Sequence, residues 1–134
     1  MNLSVVGSRS FASFEILPKR KAKSIIQDFM FFYKIEKYIS GGAKGPDSWG
    51  EEIADNFKLS KIIYKPDWNK YGKSAGYKRN IDIINNADYV LIFWDGKSKG
   101  TMHDIKLARK NKKPYALYVW QKTDEWREIE STIN

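Results

Sequence analysis

Tyr89-Val90-Leu91-Ile92-Phe93-Trp94 is an unbroken apolar run, and few folds can bury such a strand. A strand with one face in water alternates polar and apolar residues, whereas one that does not alternate is covered on both faces, as in a parallel sheet. The chain before and after it supplies the covering. Leu3 to Val6 reads as a buried strand running into the small-residue loop Gly7-Ser8-Arg9-Ser10. Pro18 opens a helix in which Ala22, Ile25, Ile26, Phe29, Met30 and Tyr33 recur at helical spacing, and Ile35 to Ile39 is a second strand. A second helix starts at Pro46 and buries the stripe Trp49, Ile53, Phe57, followed by a strand at Ile62-Ile63-Tyr64 that Pro66 ends. After a loop around Trp68 to Gly72, Ser74 caps a third helix whose inner face is Tyr77, Ile81 and Ile84, with Asn80 on its flank and Arg79 at its edge.

The turn Asp95 to Thr101 leads into a fourth helix with Ile105 and Ala108 inward, then a fifth strand at Tyr115 to Val119, and a last helix is expected at about Asp124 to Thr132. Strand and helix alternate throughout. That order predicts a single-domain α/β fold, a Rossmann-like doubly wound parallel sheet with right-handed crossovers and strand order 3-2-1-4-5.

The 134 residues suffice for one core without staples, which is needed here because there is no cysteine. With a single histidine, His103, neither a metal site nor a cofactor is expected, and the composition suits a reducing, cytoplasmic setting. No window approaches the roughly 18 apolar residues of a membrane span. A net charge of +8 favours anionic partners.

In a wound sheet the ligand crevice lies beyond the carboxyl ends of the strands, where the winding reverses between strands one and four. That rule gathers three loops: Gly7 to Ser10, Ser40-Gly41-Gly42-Ala43-Lys44-Gly45-Pro46-Asp47, and Asp95-Gly96-Lys97-Ser98-Lys99-Gly100-Thr101. The middle loop has the makings of a phosphate cradle, with glycines at 41, 42 and 45 before a proline-started helix whose free N–H groups and dipole favour an anion. An ordinary tight strand-to-helix turn has the same composition. The P-loop pattern fails, because Asp67 and Leu91 stand where Gly72-Lys73-Ser74 and Gly96-Lys97-Ser98 would need a glycine, and Arg9 breaks a dinucleotide fingerprint at Gly7. Asp104, in the first turn of the fourth helix, points toward the sheet end, either as a ligand contact or as a capping partner of Thr101.

Together, Val5-Val6-Gly7-Ser8-Arg9-Ser10-Phe11, Ser40 to Asp47, Gly76-Tyr77-Lys78-Arg79-Asn80 and Asp95 to Thr101 resemble the YspA-type family of the SLOG superfamily over about Val5 to Tyr118. The resemblance implies a domain that binds nucleotides or nucleotide-derived ligands, placing Gly7, Ser8, Arg9, Gly41, Gly42, Lys44, Gly45, Asp47, Asn80, Asp95, Gly96, Gly100 and Thr101 in the binding site. Similarity to the more distant LOG phosphoribohydrolases implies Asp104 and Arg79 as catalytic residues that cleave the N-glycosidic bond of a nucleoside 5′-monophosphate. Asp104 stands where those enzymes carry glutamate, and Asp95-Gly96-Lys97 where they carry proline and paired glycines. Similarity to the DprA branch implies binding of single-stranded DNA instead, and a non-catalytic sensor or interaction module is the third reading. The LOG resemblance, with an aromatic content of 15%, implies a homodimer.

Overall fold

The computed structural model describes residues 1–12 and 16–133. Six strands form one sheet in the order β3-β2-β1-β4-β5-β6: β1 is Asn2–Gly7, β2 Lys37–Ser40, β3 Ser60–Ile63, β4 Tyr89–Trp94, β5 Tyr115–Trp120 and β6 Trp126–Ser131. The first five are parallel, in the expected order, and the winding reverses between β1 and β4. Helices α1 (Ile16–Phe32) and α2 (Pro46–Asn56) cover one face, while α4 (Ala75–Asn86) and α5 (Lys99–Lys110) cover the other. Side chains of β4 divide accordingly. Leu91 and Phe93 join Ile26, Met30, Trp49 and Ile53, whereas Val90 and Ile92 join Ile83, Ile84, Ile105 and Ala108. Two-sided burial is why this strand shows no alternation.

The C-terminal segment is a strand, not the helix expected at Asp124 to Thr132. Asp124 takes a left-handed φ of 60° in a tight turn, after which Trp126 pairs with Trp120 and β6 runs antiparallel to β5. Glutamates and arginine suit a helix locally, but the tertiary reward lies elsewhere. Trp126 packs its ring on Phe11, Trp49, Phe93 and Trp120, and its Nε1–H donates to the Pro18 carbonyl at 2.9 Å. Glu130 is bound by Arg109 at 2.7 Å and by the Tyr115 hydroxyl. Without β6, β5 would present an open parallel edge.

Four smaller differences from the expected elements follow. The inner face of α4 is Ala75, Arg79, Ile83 and Ile84, and both Tyr77 and Ile81 are exposed. Trp68–Tyr71, expected as loop, is the short helix α3, capped by Asp67, whose Oδ1 accepts from the Lys70 amide at 3.0 Å. The Ser74 hydroxyl does not cap α4 but donates to the Tyr71 carbonyl. Phe57 lies at the exposed end of α2, so that helix buries Trp49 and Ile53 without it.

Candidate anion-binding crevice

Strand β2 delivers the chain to Gly41, and α2 begins five residues later with Pro46 as its first residue. Gly45, just before it, has φ 87° and ψ −136°, a conformation in which a Cβ is strongly disfavoured. Gly7 serves by lacking bulk. A Cβ there would overlap the Phe93 carbonyl and come within 2.5 Å of Pro46 Cγ, so its absence lets the start of α2 sit directly on the end of β1. Tyr38, fully buried beneath, donates to the Asp47 carbonyl at 2.8 Å and fastens the same corner.

The loop's own hydrogen bonds decide which amides remain for a ligand. Asp47 Oδ2 accepts from the Gly41 amide at 3.2 Å, and Ser40 Oγ accepts from the Gly42 amide at 3.0 Å. Among the described residues, the amides of Ala43, Lys44 and Gly45 have no such partner. Of the cradle's amides that of Gly42 is thus spent within the loop, and the free donors begin at Ala43.

Arg79 reaches in from α4 and is 9% exposed. Its Nη1 donates to the Gly41 carbonyl at 3.1 Å and its Nε to Asn80 Oδ1 at 3.3 Å, so it braces the loop from below. Burial lowers its pKa, partly offset by the favourable charge of Asp47. Asp47 is itself buried, and desolvation lifts its carboxyl to about 7 against the pull of the Gly41 amide and Arg79. Asp104 is 5% exposed, and its Oδ1 has no hydrogen-bond partner among the described residues. Burial, then the neighbouring Asp47, raises its pKa well above the ordinary range, with Arg79 pulling the other way.

A cleft of about 350 Å³ brings together Gly7 and Arg9 from the end of β1 and the turn after it, Asp47 from α2, Arg79 and Asn80 from α4, and Gly100, Thr101 and Asp104 from α5. The other seven residues of the expected set lie outside this cleft. Ser8 is fully buried, with its Oγ 3.1 Å from Thr101 Oγ1 and accepting from the Asp95 amide at 3.0 Å, which ties the loop after β1 to the loop after β4. Asp95 accepts from the amides of Lys97 and Ser98 and from the Ser10 hydroxyl, shaping the turn into α5. Gly41, Gly42 and Lys44 border a neighbouring depression of about 610 Å³ that also holds Arg9, Lys65 and Trp68. Gly45 borders a third, of about 740 Å³, and Gly96 opens onto a separate cavity beside α5. Ser98, not Thr101, caps α5, its Oγ accepting from the Thr101 amide at 3.3 Å, so Asp104 has no capping role.

Sequence reasoning missed Ala43, Lys73 and Tyr77 as cleft residues. Tyr77 has a core residue's helical spacing in the sequence, yet it is exposed and lines the cleft.

The fold and site define a Rossmann-like α/β domain with a basic crevice at its topological switch point. No protein-family model matches the chain. The gene 61 protein of Mycobacterium phage D29 is 35% identical over 79 residues, which cover 54% of this chain and 62% of that protein. Among solved structures, DNA processing protein A from Helicobacter pylori, described for its single-stranded DNA binding mode, superposes with a TM-score of 0.66 at 22% identity, covering 87% of this chain and 64% of that one. DprA from Streptococcus pneumoniae superposes with a TM-score of 0.68 at 16% identity, over 87% of this chain and 49% of that one. At these identities the likeness concerns the fold, and this chain spans less than two thirds of each relative.

Proposed function

We propose that the crevice binds single-stranded nucleic acid through its phosphates, with one phosphate on the free amides of Ala43 to Gly45 and Arg9 beside it. One observation carries this reading. Three depressions adjoin at Ala43, and together they form an open track over the carboxyl end of the sheet rather than a closed pocket. Exposed Arg9, Lys44, Lys65 and Lys73 lie along the track, and Trp68, 56% exposed, offers a flat face to a base. The net charge of +8 and the structural likeness to a DNA processing protein described as binding single-stranded DNA support the same reading.

Fluorescence anisotropy with labelled oligothymidine tests it. Phosphate contacts release counterions, with a log–log salt slope of about −0.7 per phosphate on a single strand, so four contacts weaken binding about 50-fold between 50 and 200 mM salt. Lys44→Glu and Lys65→Glu should each weaken binding and make the slope shallower. Absence of oligonucleotide binding at low salt overturns the reading.

The buried, unpartnered Oδ1 of Asp104 favours a second reading, in which the 350 Å³ cleft takes a nucleoside 5′-monophosphate and cleaves its N-glycosidic bond. Water would add to the sugar's anomeric carbon while the base leaves with a proton. Burial and the neighbouring Asp47 favour the protonated form of Asp104, and it is the ionised form whose carboxylate opposes the positive charge growing on the sugar. Assaying free base from a panel of monophosphates decides this reading. No base from any member removes it, and release that Asp104→Asn leaves unchanged removes the role of that carboxyl.

A further inference from the structure

We propose that the cavity beside α5, on the other side of Tyr77 from the central cleft, is a nucleobase subsite that takes the base next along a bound single strand. This rests on the nucleic-acid reading of the crevice. The cavity, of about 690 Å³, has walls formed by Tyr77, Trp94, Met102 and His103, with Lys97, Lys99 and Lys106 around them. Its interior is flat and soft. Tyr77 is 47% exposed and meets His103 edge to face at 4.7 Å, while the Trp94 indole is held in place by its Nε1–H on the Ser98 carbonyl at 3.1 Å. Burial and the adjacent Lys106 lower the pKa of His103, so the imidazole stays neutral and the aromatic wall carries no charge.

All three lysines are exposed, and no carboxylate lines the cavity among the described residues. An uncharged aromatic interior inside a ring of cations matches one nucleotide unit, whose base is flat and apolar on its faces and whose flanking phosphates are anionic. Stacking of this kind tolerates any base, because every base has a π-face. Phosphate contacts from the lysines then set the strand's register without reading its sequence. Tyr77 also lines the central cleft, so it is the shared wall between a phosphate seated there and a base seated here.

The test is a length series of oligothymidines from two to twelve nucleotides, measured by anisotropy on the full chain. Lengthening beyond the shortest binding oligonucleotide should gain about tenfold in affinity, within the range that one base stack contributes. The surface pair Lys97→Glu with Lys106→Glu, and separately Met102→Asp, should remove that gain while leaving the shortest oligonucleotide's affinity within about twofold. Photocrosslinking with a 5-iodouracil strand should place adducts on Tyr77 or Trp94. If oligonucleotides bind but both variants keep the length-dependent gain, or all adducts map outside this cavity, the subsite is wrong and the crevice reading stands. If the cavity's ligand is an acidic aromatic peptide instead, such a peptide will bind in a Met102-dependent way while the length series stays flat, which also overturns the proposal. Failure of every oligonucleotide to bind overturns the crevice reading and the subsite with it.

Discussion

Arg79→Met is expected to cost the protein both its ligand and a large share of its stability. The guanidinium is buried between the Gly41 carbonyl, which it holds at 3.1 Å, and the carboxyls of Asp47 and Asp104, whose ionisation it favours. Methionine fills the volume but leaves that carbonyl without its donor and two buried acids without their cation. Stranding a buried carbonyl that a charged group had bound costs about 1 to 3 kcal/mol, and the raised pKa of Asp47 eases its loss of a cation. For a domain of this size that is a fall of about 3 to 12 °C in Tm. With the loop unbraced, oligonucleotide affinity should drop at least about 100-fold, measured below the variant's unfolding range. Arg79→Lys restores the charge but not the fork that spans Gly41 and Asn80, so it should recover only part of either quantity. Affinity within threefold of the parent in the methionine variant would show that the loop holds its shape without the brace.

Stability should fall as pH rises from 5 to 8. Asp47 titrates near 7 in the folded protein against an ordinary value of 3.8, and Asp104 is also raised. Between those values the native state holds a proton on each group that the unfolded chain has released. Each such group then lowers the unfolding free energy by about 1.4 kcal/mol per pH unit, and its effect levels off above its folded pKa. His103, whose pKa is lowered, works in the opposite direction below its ordinary 6.5, but it is one group against two. Thermal melts across this range should show the decline, and Asp47→Asn and Asp104→Asn should each flatten it. The charges that bear on Asp47 are Arg79 and Arg9, which lower its pKa, and Glu51, which raises it. An anion seated beside Asp47 favours its protonated form, so oligonucleotide affinity should weaken as the pH passes 7. A flat stability profile in the parent would mean that both carboxyls find water or a counter-charge in solution.

The sequence by itself determined the parallel sheet, its strand order through β5 and the place of the crevice. Each of these follows from local pattern. Tyr89 to Trp94 lacks alternation because both its faces are covered, and Gly45-Pro46 marks a helix start because one residue supplies a left-handed φ and the next needs no N–H donor partner. Tertiary structure alone decided the rest. Arg79 has no helical-periodicity signal for burial, since a cation goes inward only when a carbonyl and carboxyls arrive from other elements, here Gly41, Asp47 and Asp104. Ser8 and Asp95 read as ligand contacts because a hydroxyl or carboxylate in a glycine-rich loop is locally the same whether it meets a ligand or another loop. The last segment has a helix former's composition but becomes β6, because Trp126 finds its aromatic neighbours, and Glu130 its two partners, at residues distant in the chain. Contacts made across the chain leave no periodicity within it, so they were settled only when the sheet closed.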